Sequence, residues 1–187
     1  MPEPLASEDE QADETKMNLK QLPTLALATA LTACVAPKPL QSTTHFNPTE
    51  VAWAKAHGTN SITGQSFLRQ QGGGVVTCAG YEVDLVPQSP YASERINFRY
   101  GNTTKGYARA FMAPQLPSAD PGYVESWRKT QCDAQGNFSI TDLPDGDYYL
   151  ITRVVWIVDR IEQGGGMMQR ISLHGGEHAK VLLTNND

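Results

Sequence analysis

No stretch of this sequence is apolar for long enough to cross a membrane as a helix. Such a helix takes about 20 apolar residues, and the most apolar stretch, residues 22–33, is an uncharged, mostly apolar run of twelve. That is the length of the apolar region of a secretory signal, and Lys20 supplies the positive charge that normally precedes one. The pattern therefore predicts an exported chain.

Clustered positive charge is also missing from the sequence. The chain has 15 basic and 20 acidic residues, and six of the acids but only two of the bases lie in residues 1–33. Residues 34–187 therefore carry 14 acids and 13 bases. Nucleic-acid binding needs Lys and Arg gathered on one surface, so this near-neutral composition predicts no nucleic-acid partner.

The first sixteen residues do not fit a secretory signal. They contain six acidic residues, whereas a signal peptide begins with positive charge. The run Met17-Asn18-Leu19-Lys20 is a better start for the signal. We therefore interpret residues 1–16 as a non-native or misannotated leader and residues 17–33 as the signal peptide.

Residues 31–34 read Leu-Thr-Ala-Cys and directly end the apolar run. Small residues let a chain lie extended in a peptidase groove, and the cysteine offers a sulfur for a diacylglycerol thioether. These four residues resemble the lipobox of bacterial lipoproteins. The resemblance implies cleavage before Cys34 and attachment to a membrane through lipid on its sulfur. The alternatives are an ordinary signal followed by a chance cysteine, or a buried core segment.

The residues after Cys34 suggest a location and a domain boundary. Val35 rather than Asp follows the cysteine, which by the sorting rule of enteric bacteria implies the outer membrane, with the domain facing the periplasm. Residues 34–46 include Pro37 and Pro39 and predict a short extended tether. Residues 47–187 are long enough to bury one core and predict a single domain.

The chain has only three cysteines. If Cys34 carries lipid, Cys78 and Cys132 remain, and in an oxidising compartment they form a candidate disulfide. Two buried free thiols or a metal pair are the alternatives. Neither cysteine has a CxxC partner or a nearby histidine, which disfavours the metal pair.

Motifs for catalysis, metal binding or cofactor binding are weak. His174 and His178 are four residues apart, but two intervening glycines indicate a hairpin turn rather than a metal-binding helix. The glycine triplets 72–74 and 164–166 are not followed by Gly-Lys-Ser, so we interpret them as flexible hairpin tips rather than phosphate loops. The serines lack a nucleophile-elbow motif. We predict no catalytic residue, no metal and no cofactor.

The rest of the chain is dominated by period-two alternation, which is typical of strands. The run Asn47-Pro48-Thr49-Glu50 predicts the start of a short helix, and we expect that helix to end near Gly58. Ser89-Pro90 predicts a second short helix or a turn. Residues 147–158 are apolar on both faces, which predicts a central strand covered on both sides. Roughly seven strands with one or two short peripheral helices predict an all-β sandwich. Strands are predicted near residues 61–68, 75–78, 81–87, 123–132, 137–143, 147–158, 167–173 and 178–183.

One longer pattern carries a family resemblance for the domain. It reads Asp133-x-x-Gly136-x-Phe138-x-Ile140-x-x-Leu143-Pro144-x-Gly146-x-Tyr148-x-Leu150. The pattern resembles carboxypeptidase regulatory-like and Cna B-type domains. The resemblance implies a transthyretin-like, or prealbumin-like, β-sandwich over about residues 60–184, interrupted by an insert at about 88–124. These positions are turn formers and core residues, so they imply a fold and not a function.

The insert and its flanks are rich in aromatic residues and arginine. Both types are enriched at binding hot spots, and aromatic rings with polar edges also suit sugar faces. The alternative is that the rings simply close one end of the sandwich. The candidate interaction residues are Tyr91, Arg95, Arg99, Tyr107, Arg109, Phe111, Tyr123 and Trp127.

These observations favour a non-enzymatic envelope lipoprotein whose β-sandwich binds another envelope protein or has a structural role. A glycan- or peptidoglycan-binding module is the alternative interpretation. An accessory enzyme is the least favoured, because no motif supports one.

Overall fold

Nine β-strands and two short α-helices make up residues 42–185, the part of the chain that this computed structural model describes. Single-turn 3₁₀ segments lie at Pro48–Glu50, Ala52–Lys55 and Ala110–Met112. The strands and helices are β1 Asn60–Arg69, β2 Val75–Thr77, β3 Glu82–Pro87, α1 Pro90–Tyr100, β4 Lys105–Arg109, α2 Pro121–Glu125, β5 Arg128–Gln131, β6 Asn137–Leu143, β7 Gly146–Val158, β8 Ile161–Leu173 and β9 His178–Leu183.

The strands form two sheets that share one core. The first sheet has the order β2-β1-β6, and β9 pairs in parallel with β1. The second sheet is antiparallel throughout, in the order β4-β8-β7-β3-β5. Ile62 of the first sheet and Leu85 and Leu150 of the second are fully buried between them. The predicted all-β sandwich is confirmed, and β4 is the strand that the sequence did not indicate.

The disulfide between Cys78 and Cys132 is present, as predicted. The two Cα atoms are 5.8 Å apart, the residues are separated by 54 positions, and both are buried. Cys78 follows β2 of the first sheet and Cys132 follows β5 of the second. The bond therefore joins the two sheets covalently.

The outer face of the second sheet is covered by α1 and α2. Tyr149 and Met168 are fully buried there and pack with Ile96 of α1. The first half of β7 is thus covered on both faces, as predicted. The second half is not: Ile157 is 73% exposed, and Val158, which the alternation assigned to the core, is 48% exposed. The end of the β7–β8 hairpin is therefore largely open to solvent.

The glycine triplet 164–166 is part of strand β8. Its prediction as a flexible hairpin tip is therefore wrong. All three glycines lie in β8 and pair with β7. The turn is made instead by Asp159 and Arg160, which have positive φ angles of 49° and 67°. A Cβ on Gly165 would lie 2.2 Å from the carbonyl oxygen of Ala108 in β4. Glycine at this position therefore allows β4 to approach β8. The other triplet, 72–74, lies in the turn between β1 and β2, as predicted.

Two further boundaries differ from the sequence prediction. The helix expected from Asn47 is split into two 3₁₀ turns, although Asn47 does cap the first by accepting a hydrogen bond from the Thr49 amide at 3.1 Å. Tyr123 lies in α2 and not in a strand, because Asp120 and Pro121 start a short helix there. The insert also contributes β4 to the sheet edge.

The end of the predicted tether is attached to the domain. Thr43 and Thr44 donate backbone and hydroxyl hydrogen bonds to the Glu94 carboxylate of α1, and Ser42 adds a hydroxyl bond. These bonds hold the pKa of Glu94 well below its usual range. Phe46 then packs edge-on against Tyr91.

The predicted leader, the signal peptide, Cys34 and the first part of the tether lie outside the described residues. Within residues 42–185, neither helix has the length and apolar character required to cross a bilayer.

Candidate functional site

Helix α1 positions one wall of the candidate site. Ser89 caps its start by accepting a hydrogen bond from the Ala92 amide at 3.1 Å, and Pro90 occupies the first turn. Gly101 ends the helix in the left-handed conformation with φ of 69°. This end leaves Arg99 and Tyr100 in the last turn, at the border of the uncovered part of the second sheet.

A cleft of about 690 Å³ opens beside that last turn. We call it the Asp84 cleft. Its floor crosses the second sheet: Asp84 of β3 lies opposite Lys129 of β5 on one side and Ile151 of β7 on the other. The lining residues are Gly80, Tyr81, Glu82, Asp84, Arg99, Tyr100, Trp127, Lys129, Ile151, Thr152, Arg153 and Gly166.

Asp84 is a carboxylate with an incomplete set of partners. Its side chain is only 21% exposed, and Oδ1 accepts no hydrogen bond from any described residue. The Lys129 ammonium lies 3.8 Å from Oδ1, which is an ionic contact but too long for a hydrogen bond. Burial raises the pKa of Asp84, the Lys129 charge opposes the shift, and Glu82 adds to it. The cleft thus holds a hydrogen-bond acceptor without a donor.

Trp127 offers the complementary group. Its Nε1 is buried and has no hydrogen-bond partner among the described residues. The ring packs edge-on against Tyr123 at 5.1 Å between centroids, and the Lys129 ammonium lies 5.8 Å from the Trp127 ring centroid. Buried polar atoms without partners are few in native proteins, and an absent ligand is one of the usual reasons for them.

The other charged groups of the cleft are already engaged. Lys129 pairs with Glu82 at 3.4 Å, the Arg99 guanidinium donates to the carbonyl of Pro114 at 3.3 Å, and the Arg153 guanidinium lies 5.5 Å from the Tyr81 ring centroid. Three basic and two acidic side chains therefore give the cleft a mixed charge. A ligand with many hydroxyl groups matches this lining better than a strongly charged one.

The hydroxyl of Tyr100 stays protonated and can donate. Burial raises the pKa of Tyr100 to about 12. Gly166 lies next to it on β8, where a Cβ would come 3.0 Å from the Tyr100 hydroxyl oxygen. A side chain at position 166 would therefore crowd that hydroxyl.

The structure divides the predicted interaction residues into three groups. Tyr91, Arg95 and Tyr123 are buried between the helices and the sheet, with exposures of 7%, 8% and 3%. The Tyr91 and Tyr123 rings are 5.0 Å apart, and the Arg95 guanidinium lies 5.5 Å from the Tyr91 ring centroid and donates to the carbonyl of Pro117 at 2.8 Å. These three residues help to close the outer face of the second sheet.

Only Arg99 and Trp127 of the predicted residues line the Asp84 cleft. Tyr107, Arg109 and Phe111 lie on β4 and the turn after it, in a separate groove. Asp84 and Lys129, the charged residues at the centre of the cleft, were not predicted. Their polar type at alternate strand positions is the only signal, and it also fits any solvent-facing strand.

No group of three or more His, Cys, Asp or Glu residues that could hold a metal ion occurs within residues 42–185. The segment around His174 is a turn, as predicted, with Gly175 and Gly176 at positive φ. The Nδ1 atom of His178 lies 2.7 Å from the Ser61 hydroxyl oxygen on the exposed surface. The geometry around Asp84 suits binding of a polar ligand through hydrogen bonds and a ring contact.

The fold is similar to that of a candidate carbohydrate-binding protein from Pseudomonas aeruginosa, known from a crystal structure. The TM-score is 0.64 at 25% sequence identity, and the match covers 75% of this chain and 97% of that one. No protein-family model and no curated protein matches the chain significantly. The similarity supports the β-rich fold, whereas the resemblance to carboxypeptidase regulatory-like and Cna B-type domains stays a prediction.

Proposed function

We propose that this domain binds a carbohydrate in the Asp84 cleft and presents it at a bacterial envelope, where lipid on Cys34 anchors the chain. The observation that carries the proposal is that two residues lining one cleft each have a buried polar atom without a partner in residues 42–185, the acceptor Oδ1 of Asp84 and the donor Nε1 of Trp127. An unpaired buried polar group is costly, so a ligand that pairs with both would recover that cost.

Sugars have the chemistry that these two atoms require. A sugar hydroxyl donates to a carboxylate and accepts from an indole N–H at the same time. The apolar face of a sugar ring packs on an aromatic side chain whose edge remains polar, and Tyr81, Tyr100 and Trp127 all line the cleft. The cleft volume of about 690 Å³ lies within the range of small-molecule sites.

The structural similarity adds independent support. The solved structure that matches over 97% of its own length is described as that of a candidate carbohydrate-binding protein. We therefore favour glycan binding over protein–protein interaction, although the sequence alone favoured protein–protein interaction. The proposal is one of binding without catalysis.

Isothermal titration of the full chain with neutral oligosaccharides tests the proposal. The panel comprises tetrasaccharides of glucose and of N-acetylglucosamine. Asp84→Asn removes the acceptor charge, and Trp127→Phe retains a ring but removes the N–H. Each is expected to weaken the affinity for the panel's best ligand about tenfold, because a hydrogen bond at a desolvated site contributes on the order of 1–2 kcal/mol.

Glu162→Gln is the matched control, since Glu162 is an exposed carboxylate on β8 outside the cleft. It should bind like the wild type. Absence of binding by every sugar in the panel, or equal affinities for Asp84→Asn and the control, would refute the assignment of this cleft to carbohydrate.

A further inference from the structure

A second groove, of about 600 Å³, lies at the open end of the sandwich. We call it the Arg109 groove. It is bordered by the end of β1 and the turn after it, the end of β4 and the turn after it, and the end of the β7–β8 hairpin. Trp156 follows Leu150 and Val154 on the inner face of β7 and reaches this groove. The Asp84 cleft lies on the outer face of the same sheet, so the two sites are separate.

The groove has unpaired positive charge. Arg69 and Arg109 both line it, and neither guanidinium makes a hydrogen bond or ion pair with any residue between 42 and 185; Arg69 has only a ring contact, with its Cζ 5.8 Å from the Phe67 centroid. Among residues 42–185, no acidic side chain lines the groove. Lys129 in the Asp84 cleft, in contrast, lies between two carboxylates. Both guanidinium groups thus lack a counter-ion in the described part of the chain, and guanidinium groups in that state attract anions.

The same groove exposes aromatic surface. Phe111 is 57% exposed, and Tyr107 and Trp156 are half-buried, with part of each residue still open to solvent. Gln163 adds an amide whose side chain makes no hydrogen bond to the rest of the described chain. A simple anion such as phosphate would use the arginines but not the rings. A ligand that uses both has a charged group and an apolar ring face.

We infer that the Arg109 groove binds a saccharide that carries a carboxylate. The guanidinium groups of Arg69 and Arg109 hold the carboxylate, since arginine presents paired N–H donors that match its two oxygens. The ring of Phe111 packs against the face of the sugar. This inference does not depend on the Asp84 cleft.

Calorimetric titration of the full chain with acidic oligosaccharides tests the inference. The ligands are trigalacturonate, an alginate trisaccharide and a hyaluronan tetrasaccharide, each compared with its methyl-esterified form. We expect at least one acid to bind, its affinity to fall as salt is raised, and esterification to weaken it by roughly tenfold or more, because a charged hydrogen bond contributes more than a neutral one.

Two variants locate the site. Arg109→Gln and Phe111→Ala should each weaken acid binding by roughly tenfold, and both side chains are exposed, so the fold is expected to survive. Lys55→Gln removes the same charge at the opposite end of the domain and should bind like the wild type. Asp84→Asn should also leave acid binding unchanged, which distinguishes this site from the Asp84 cleft.

Several results would overturn the inference. Failure of all three acids to bind excludes the ligand class, and equal binding of acids and esters excludes the role of the carboxylate. Unchanged affinity in Arg109→Gln excludes the location. A glutamate tripeptide that binds as tightly as the best saccharide shows that the groove recognises anions without a sugar ring.

Discussion

Asp84 combines a structural cost with a proposed role in binding. Burial raises its pKa more than the nearby Lys129 charge lowers it, and the neighbouring Glu82 adds to the rise. A carboxyl group whose pKa is raised on folding binds its proton more tightly in the folded state than in the unfolded state. Its stabilising contribution is therefore complete below the unfolded pKa and is lost as pH rises through the folded pKa.

This residue gives the first prediction, which concerns stability. Asp84→Asn keeps the shape of the neutral acid and removes the buried charge, so it should increase the free energy of unfolding at pH 7. The difference in the free energy of unfolding between variant and wild type should shrink towards pH 3, where Asp84 is protonated in both the folded and the unfolded state. Urea denaturation at pH 7 and at pH 3 measures this difference. A variant that is less stable than the wild type at pH 7 would contradict the assigned cause of the pKa shift.

The gain in stability expected for Asp84→Asn is consistent with a ligand-binding role of Asp84. The same substitution is expected to weaken sugar binding, and residues that cost stability while serving a ligand are typical of binding sites. A purely structural Asp84 would lose stability on substitution and leave binding unaffected.

At the scale of elements, the contact between β4 and β8 depends on a missing side chain. A Cβ on Gly165 would lie 2.2 Å from the Ala108 carbonyl oxygen, so Gly165→Ala should push β4 away from the sheet edge. We expect a loss of about 1–3 kcal/mol in the free energy of unfolding, measured by urea denaturation. Gly72→Ala is the control, because nothing lies within 4 Å of a Cβ there. Equal stability of the two variants would show that β4 can shift freely.

The elements that sequence reasoning found share strong local signals. β1, β3, β6 and β7 show clear alternation, and α1 begins at the expected Ser89-Pro90 cap. β4 was missed because it is only five residues long and includes Gly106. The start of β8 was missed because glycine normally indicates a turn. Glycine is required at the start of β8 because β4 approaches it closely. The local sequence of β8 does not specify that approach.

The Asp84 cleft was less predictable than the fold for a similar reason. Asp84, Lys129 and Gly166 come from three strands that are 37 or more positions apart along the chain, and strand register alone brings them to one surface. Trp127 and Arg99 could be predicted from residue type. Residue type did not distinguish them from Tyr91 of α1 and Tyr123 of α2, which are buried.

At the scale of the whole molecule, one disulfide ties the two sheets together. Removing it in the double variant Cys78→Ala/Cys132→Ala avoids leaving a free thiol. We expect the free energy of unfolding to fall by about 2–5 kcal/mol. Urea denaturation measures the loss, and reduced wild-type protein should reproduce most of it. Coincident unfolding curves for the oxidised, reduced and double-variant proteins would show that the bond adds little to the contact between the sheets.

Anchoring and ligand binding are expected to be separable, because Cys34 precedes every element that builds the two proposed sites. Each methylene of an acyl chain buried in a bilayer contributes about 0.8 kcal/mol, so several chains on one cysteine hold a protein durably. Cys34→Ala should therefore abolish incorporation of labelled fatty acid and leave the precursor unprocessed by the lipoprotein peptidase.

The sugar affinity of the Cys34→Ala protein should equal that of the wild type in detergent, since the change leaves both proposed sites intact. Asp84→Asn supplies the reciprocal control: it should incorporate fatty acid normally and bind neutral sugar weakly. Normal lipid labelling of Cys34→Ala would refute the anchor without affecting the cleft. Lost sugar affinity in the same variant would instead contradict the separation of anchoring from ligand binding.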